Sequence, residues 1–221
     1  MSAPRFIAFS LSTLLVAGCV AGGIMNVSEP DLSSATTNIR MENGIIYLDD
    51  LSISVRPNNT DVSLLTVGVV VPVIPLPGQG ARVQTQLPFQ VHLEFDASRS
   101  EYFINPYKVV LTSQGIEFKP KFAFGPLKGG KPLGGRNAST LGHPWSCSYY
   151  RDMKPMPVAS EQTQLVGKSC IVLEFPINTI PPSQTFDLTI SGLYQHDQAI
   201  KPITLSFKEV THGGTEVISA P

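Results

Sequence analysis

The stretch Phe89-Gln90-Val91-His92-Leu93-Glu94-Phe95 alternates apolar and polar side chains without interruption. A period of two is what a strand with one buried face requires. The same alternation returns in Leu51 to Arg56, in Phe186-Leu188-Ile190 and in Ile203-Leu205-Phe207. No segment sustains a 3.6-residue apolar period, so helices are expected to be short and few. The 19 prolines and 18 glycines in 221 residues suit strands joined by turns far better than helices.

A strand map follows. Pro57-Asn58-Asn59 is turn chemistry after the first strand. Leu64 to Ile74 is a continuous apolar run, broken by Pro72, Pro75 and Pro77, because proline cannot donate to a ladder. Tyr107 to Thr112 and Ile116 to Phe124 read as a hairpin across Ser113-Gln114-Gly115. Gly125 to Pro144 is rich in glycine and proline and reads as a long loop. Trp145 to Tyr150 and Ser169 to Phe175 bracket a polar insert, and Thr185 to Tyr194 and Ile203 to Val210 close the domain. About nine short strands predict an all-β, antiparallel two-sheet sandwich. An immunoglobulin-like arrangement is open, although Trp145 precedes both Cys147 and Cys170 instead of lying between them. A β-barrel is the alternative.

The N-terminal region has a different character. Arg5 is followed by an apolar stretch from Phe6 to Ala17, and Leu14-Leu15-Val16-Ala17-Gly18-Cys19 ends it with small residues before one cysteine. The order of positive start, apolar middle and small-residue site is that of a secretory signal. The final hexapeptide resembles the lipobox of bacterial lipoproteins. That resemblance implies diacylglycerol on the Cys19 sulfur, cleavage after Gly18 and acylation of the new amino group. It also implies a membrane partner through the lipid. In enterobacterial members of that family an aspartate after the cysteine retains the protein in the inner membrane, so the resemblance, with Val20 at that position, implies the outer membrane, with the domain facing the periplasm or the cell surface. An uncleaved membrane helix across the charge-free stretch from Arg5 to Glu29, and plain secretion, are rival readings.

With Cys19 assigned to lipid, Cys147 and Cys170 remain as a pair in an oxidising compartment, where a disulfide is expected. It closes a loop of about two dozen residues, worth roughly 3 kcal/mol in the chain-entropy model. The organisation expected is a signal peptide over 1–18, a lipidated Cys19 with a flexible tether over 19–38, a single β domain over 39–211 and a loose tail over 212–221. Beyond Gly18 the chain is long enough for one sizeable core.

Sixteen basic and 17 acidic residues leave a net charge of −1 with no charged run. This argues against nucleic acid, which selects a basic stripe. Gly125 to Pro132 nearly matches a phosphate-binding loop, but Pro132 stands where a Ser or Thr hydroxyl is needed. No Gly-x-Ser-x-Gly elbow occurs. His92, His143, His196 and His212 are scattered, and His92 with Glu94 reads as an exposed polar pair. His196-Asp197 and Asp49-Asp50 read as turns. A zinc site on His143 and Cys147 lacks a second clustered pair of ligands. No catalytic residue, metal or cofactor is therefore assigned. The triplets beginning at Asn26, Asn58 and Asn137 would matter only in a glycosylating cell.

The expectation is a non-catalytic envelope lipoprotein whose β domain binds a protein partner or supports an assembly. Lys128, Lys131 and Arg136 give the glycine-rich loop local positive charge and make it the candidate docking segment. The apolar run Val67 to Pro77 is the second candidate. A lipid-anchored hydrolase with a site assembled in space, and a carrier or sensor of a small apolar ligand, are the alternatives.

Overall fold

A computed structural model describes residues 19–31, 40–42, 44–67, 80–81, 88–128, 156 and 162–218. They form two antiparallel sheets packed against each other, an all-β sandwich. Sheet A is built from β1 (Cys19–Pro30), β5 (Asp61–Val67), β6 (Gly80–Ala81), β8 (Val110–Ser113), β9 (Ile116–Phe118), β12 (Phe186–Ile190) and β15 (Ile203–Ile218), in the order β6-β5-β1-β15-β12-β8-β9. Sheet B contains β2 (Arg40–Glu42), β3 (Ile45–Leu48), β4 (Leu51–Pro57), β7 (Phe89–Ile104), β10 (Phe122–Lys128) and β11 (Thr163–Phe175), in the order β10-β11-β7-β4-β3-β2. A short ribbon of β13 (Leu193–Gln195) and β14 (Gln198–Ala199) joins sheet B through β7.

The alternation read from the sequence becomes the core. Val91, Leu93 and Phe95 on β7 and Ile53 and Val55 on β4 face Leu188, Leu205 and Phe207 of sheet A in one apolar cluster. Three rings clasp the two sheets. Phe89 of sheet B meets Phe186 of sheet A edge to face at 5.6 Å, and Phe186 stacks on Phe207 at 4.8 Å. Such pairs add to the burial of the rings themselves. A buried amide ties three segments: Asn59 Nδ2 donates to Ser28 Oγ at 2.7 Å and to the Ile180 carbonyl at 3.0 Å.

The chain ends depart from expectation. Residues 19–30 are not a tether, because they form β1, hydrogen-bonded on one side to β15 and on the other to β5. Residues 212–218 are not a loose tail, because they complete β15 opposite β1. Ala21, Gly22 and Gly23 carry no apolar period, so nothing local marks this strand. Its partner lies almost the whole chain away, with Cys19 opposite Ile218. The domain therefore begins before residue 39 and extends past 211.

Other boundaries shift for local reasons. The hairpin is present, but it is β8 and β9, turned through Gln114 and Gly115 with φ of 53° and 77°. Two successive positive φ values match a two-residue hairpin turn, and glycine takes the second without strain. Tyr107 lies in a 3-10 turn, Pro106–Lys108, capped by the Asn105 side chain. Pro120 separates β9 from β10, which crosses to sheet B. Gly125 to Lys128 belong to β10 and its bulge, so the expected loop starts later than Gly125. Thr185 to Tyr194 is likewise two strands in different sheets. The crossing passes Gly192, where a Cβ would lie 2.8 Å from Lys108 Cβ. The turns expected at Asp49-Asp50 and His196-Asp197 are present.

Phe186 touches both rings of the clasp, so Phe186→Ala leaves a cavity at the sheet interface. The expected cost is about 3–5 kcal/mol in urea unfolding, with Phe186→Leu losing less. A loss below 1 kcal/mol in the alanine variant would mean that the clasp does not hold the sheets.

Candidate functional site

Alternation on β7 sends Val91, Leu93 and Phe95 inward, so His92 and Glu94 point to the outer face of sheet B. Register then assembles a cluster. Arg56 on β4 lies opposite His92, and Ser54 lies opposite Glu94. On the other side, β11 sets Val172 beside His92 and Cys170 beside Glu94. Val172 and Cys170 are buried but stand apart from the inter-sheet core. Cys170 is disulfide-bonded.

The diagonal pair Arg56 Nη2–Glu94 Oε2 spans 3.5 Å, with the Glu94 side chain 11% exposed. Its other oxygen, Oε1, is buried without a hydrogen-bond partner among the described residues. Burial penalises the charged form. It pushes the Glu94 carboxyl up to about 7, opposed by Arg56. It also pulls His92 down to about 4, with the Arg56 guanidinium acting in the same direction. His92 and Glu94 are thus not an exposed polar pair: both side chains are largely buried. Next along the face, Gln90 Nε2 donates to Glu174 Oε1 at 2.9 Å and Asn58 Nδ2 donates to Gln90 Oε1 at 3.3 Å.

Chemically, the cluster offers a carboxyl that exchanges its proton near neutral pH, a fixed guanidinium and an imidazole kept neutral. Perturbed groups of this kind mark candidate sites. The other described histidines pair with carboxylates near the surface: His196 Nε2 lies 3.3 Å from Glu101 Oε2, and His212 Nε2 lies 2.6 Å from Glu29 Oε1. Among the described residues, no group of three or more His, Cys, Asp or Glu is arranged to hold a metal ion.

The remaining sequence candidates are placed as follows. Lys128 ends β10, the outermost strand of sheet B among the described residues, in register with Ser169, and so is not a loop residue. Cys19 opens β1. Lys131, Arg136, His143 and Cys147 lie outside the described residues, as do residues 1–18, expected to be a signal peptide, and the apolar run after Val67. Arg56 was missed as a site residue. Its alternation with Leu51, Ile53 and Val55 marks it as outward-facing, but its place opposite His92 depends on register.

The two shifted groups act on stability with opposite sign. Folded Glu94 keeps its proton up to about 7 against an ordinary 4.5, so its contribution falls as pH rises from 4.5 to 7. Folded His92 refuses a proton down to about 4 against an ordinary 6.5, so its contribution falls as pH drops from 6.5 to 4. Between 4.5 and 6.5 they offset. Glu94→Gln is therefore expected to become steadily more stable from pH 4 to 6.5, and His92→Gln steadily less stable from 4.5 to 7. Each change amounts to about 1–3 kcal/mol. Urea unfolding at five pH values checks this. Parallel profiles for both variants would contradict it.

In comparisons with known proteins, no family model, no curated protein and no solved structure matched this chain.

Proposed function

We propose that this protein is a lipid-anchored component of the bacterial outer membrane, with a non-catalytic β-sandwich that binds a protein partner or supports an envelope assembly. The observation that carries the reading is Leu14-Leu15-Val16-Ala17-Gly18-Cys19, small residues before one cysteine after an apolar stretch. Two or more acyl chains anchor a protein stably, whereas a single chain holds it only marginally. No helix among the described residues is long and apolar enough to cross a membrane. An oxidising envelope also accounts for a disulfide at Cys170, and the pairing proposed is Cys147–Cys170.

The docking surface proposed is the segment carrying Lys128, Lys131 and Arg136. Its support is that β10 is the outermost strand of sheet B among the described residues, where the Ala123 carbonyl accepts from the Met156 N–H at 2.7 Å. A strand in such a position can take on an added strand from a partner. A second reading, a lipid-anchored hydrolase, draws on one observation, the shifted His92 and Glu94 side by side.

Peptide mapping of unreduced protein isolated from cells tests anchor and disulfide together. The Cys19 peptide is expected to carry acyl mass, and the Cys147 and Cys170 peptides to run joined. An unmodified Cys19, with membrane fractionation unchanged by Cys19→Ser, would refute the anchor. Free thiols at 147 and 170 would refute the pairing.

A pull-down from solubilised envelopes tests the partner surface. Replacing residues 126–136 by a short Gly-Ser link is expected to lose partners that the native chain retains. Identical partners from both would remove this segment. Hydrolytic turnover abolished by His92→Gln would replace the binding reading with the enzymatic one.

A further inference from the structure

On β15 the apolar core ends at Phe207, opposite Pro30 of β1, and the buried body ends at Ser28, which accepts from Asn59. Past Phe207, Lys208, Glu209 and Thr211 are exposed. Yet the sheet continues. Paired to β15 and β5, β1 runs on from Asn26, opposite Thr211 and Asp61, to Val20, opposite Val217 and Val67. Cys19 faces Ile218 at the tip. Among the described residues, then, β1, β15 and β5, with β6 paired to β5 at Val62 and Ser63, form an arm extending beyond the core.

Charge is distributed unevenly along this arm. Where it leaves the body lie Glu29, Asp31, Asp61, Lys208, Glu209 and His212, with Lys208 Nζ 3.0 Å from Asp31 Oδ1. Toward the tip, residues 19–25 and 62–67 contain no charged residue, and residues 213–218 contain Glu216 alone. The sequence after Val67 stays free of charge until Arg82.

We propose that this arm is a stiff stalk whose tip rests in the lipid headgroup layer, holding the sandwich off the bilayer in a fixed orientation. The proposal rests on the reading of Cys19 as the lipid-bearing residue. A flexible 12-residue tether has a root-mean-square reach of roughly 19 Å in any direction. A paired strand of that length spans about 40 Å in one direction. Neighbouring strands lie about 4.8 Å apart, which sets the backbones of Val67 and Ile218 within roughly 10 Å of Cys19. Headgroup layers are about 5–7 Å thick on each side of the hydrocarbon. Acyl chains on Cys19 therefore bring Val20, Val67, Val217 and Ile218 into that layer. Mutual pairing satisfies the backbone groups of β1 there, which a low-water environment demands. The near absence of charge at the tip meets the same demand.

Tryptophan reporters test this in acylated protein isolated from cells, after Trp145→Phe removes the natural tryptophan. Thr66→Trp and Thr215→Trp place reporters at the tip on two different strands. Lys201→Trp places one beyond the far end of β15. Each protein is reconstituted into phosphatidylethanolamine–phosphatidylglycerol vesicles containing brominated phosphatidylcholine. The expected result is loss of most fluorescence from the two tip reporters and none from Lys201→Trp, with acyl mass confirmed on Cys19. Acylated protein whose three reporters remain equally bright would overturn the stalk and leave the anchor standing. Tip reporters shielded from brominated lipid in a chain that sediments as a dimer would assign the tip to a second copy and overturn the stalk too. Absence of acyl mass on Cys19 would overturn both readings.

Discussion

The ladder between β1 and β15 is the constraint on which the rest of the molecule depends. It joins the first and last described strands, from Cys19–Ile218 to Pro30–Phe207. It also joins the two halves of sheet A, since β5 and β6 reach β12, β8 and β9 through this pair. On its other side β15 pairs with β12 and sets Phe207 opposite Phe186, so the ladder that holds β1 shares a strand with the ring clasp between the sheets. Closing a contact across nearly the whole chain is entropically costly. The cost is offset by a long run of backbone pairs and by the aromatic packing at its inner end.

Where the sandwich stores polar chemistry is equally specific. The outer face of sheet B holds Arg56, His92 and Glu94 under partial cover. Breaking a buried pair of this kind leaves a charge that water can no longer solvate. Here the conflict is eased by protonation: Glu94 tends toward the neutral acid and His92 toward the neutral base. A face built this way tolerates a wide pH range as long as both groups are present.

A stalk made from sheet A gives the anchor reading a mechanical content. A lipid on a flexible tether leaves the domain free to tumble. A lipid at the head of a paired strand transmits orientation through the ladder to the core. The β10 edge would then face a defined direction. Strand addition gains from such preorganisation, because less orientational freedom is lost on binding.

The sequence by itself determined the all-β class and the inward faces of β4, β7, β12 and β15. A period of two is a local signal, and Val91-Leu93-Phe95 or Phe186-Leu188-Ile190 can bury one side in only one way. It also determined the turns at Gln114-Gly115, Asp49-Asp50 and His196-Asp197, since turn chemistry is local as well. Tertiary structure decided everything that depends on register and partner. Residues 19–30, with Ala21, Gly22 and Gly23, have no period of their own and became a strand because β5 and β15 supply hydrogen bonds on both sides. The sequence marks His92 and Glu94 as outward-facing, but it does not show that β4 and β11 lie alongside and bring Arg56, Cys170 and Val172 next to them. Strand pairing is set by contacts far apart along the chain, and a local pattern carries no record of which distant segment lies across the ladder.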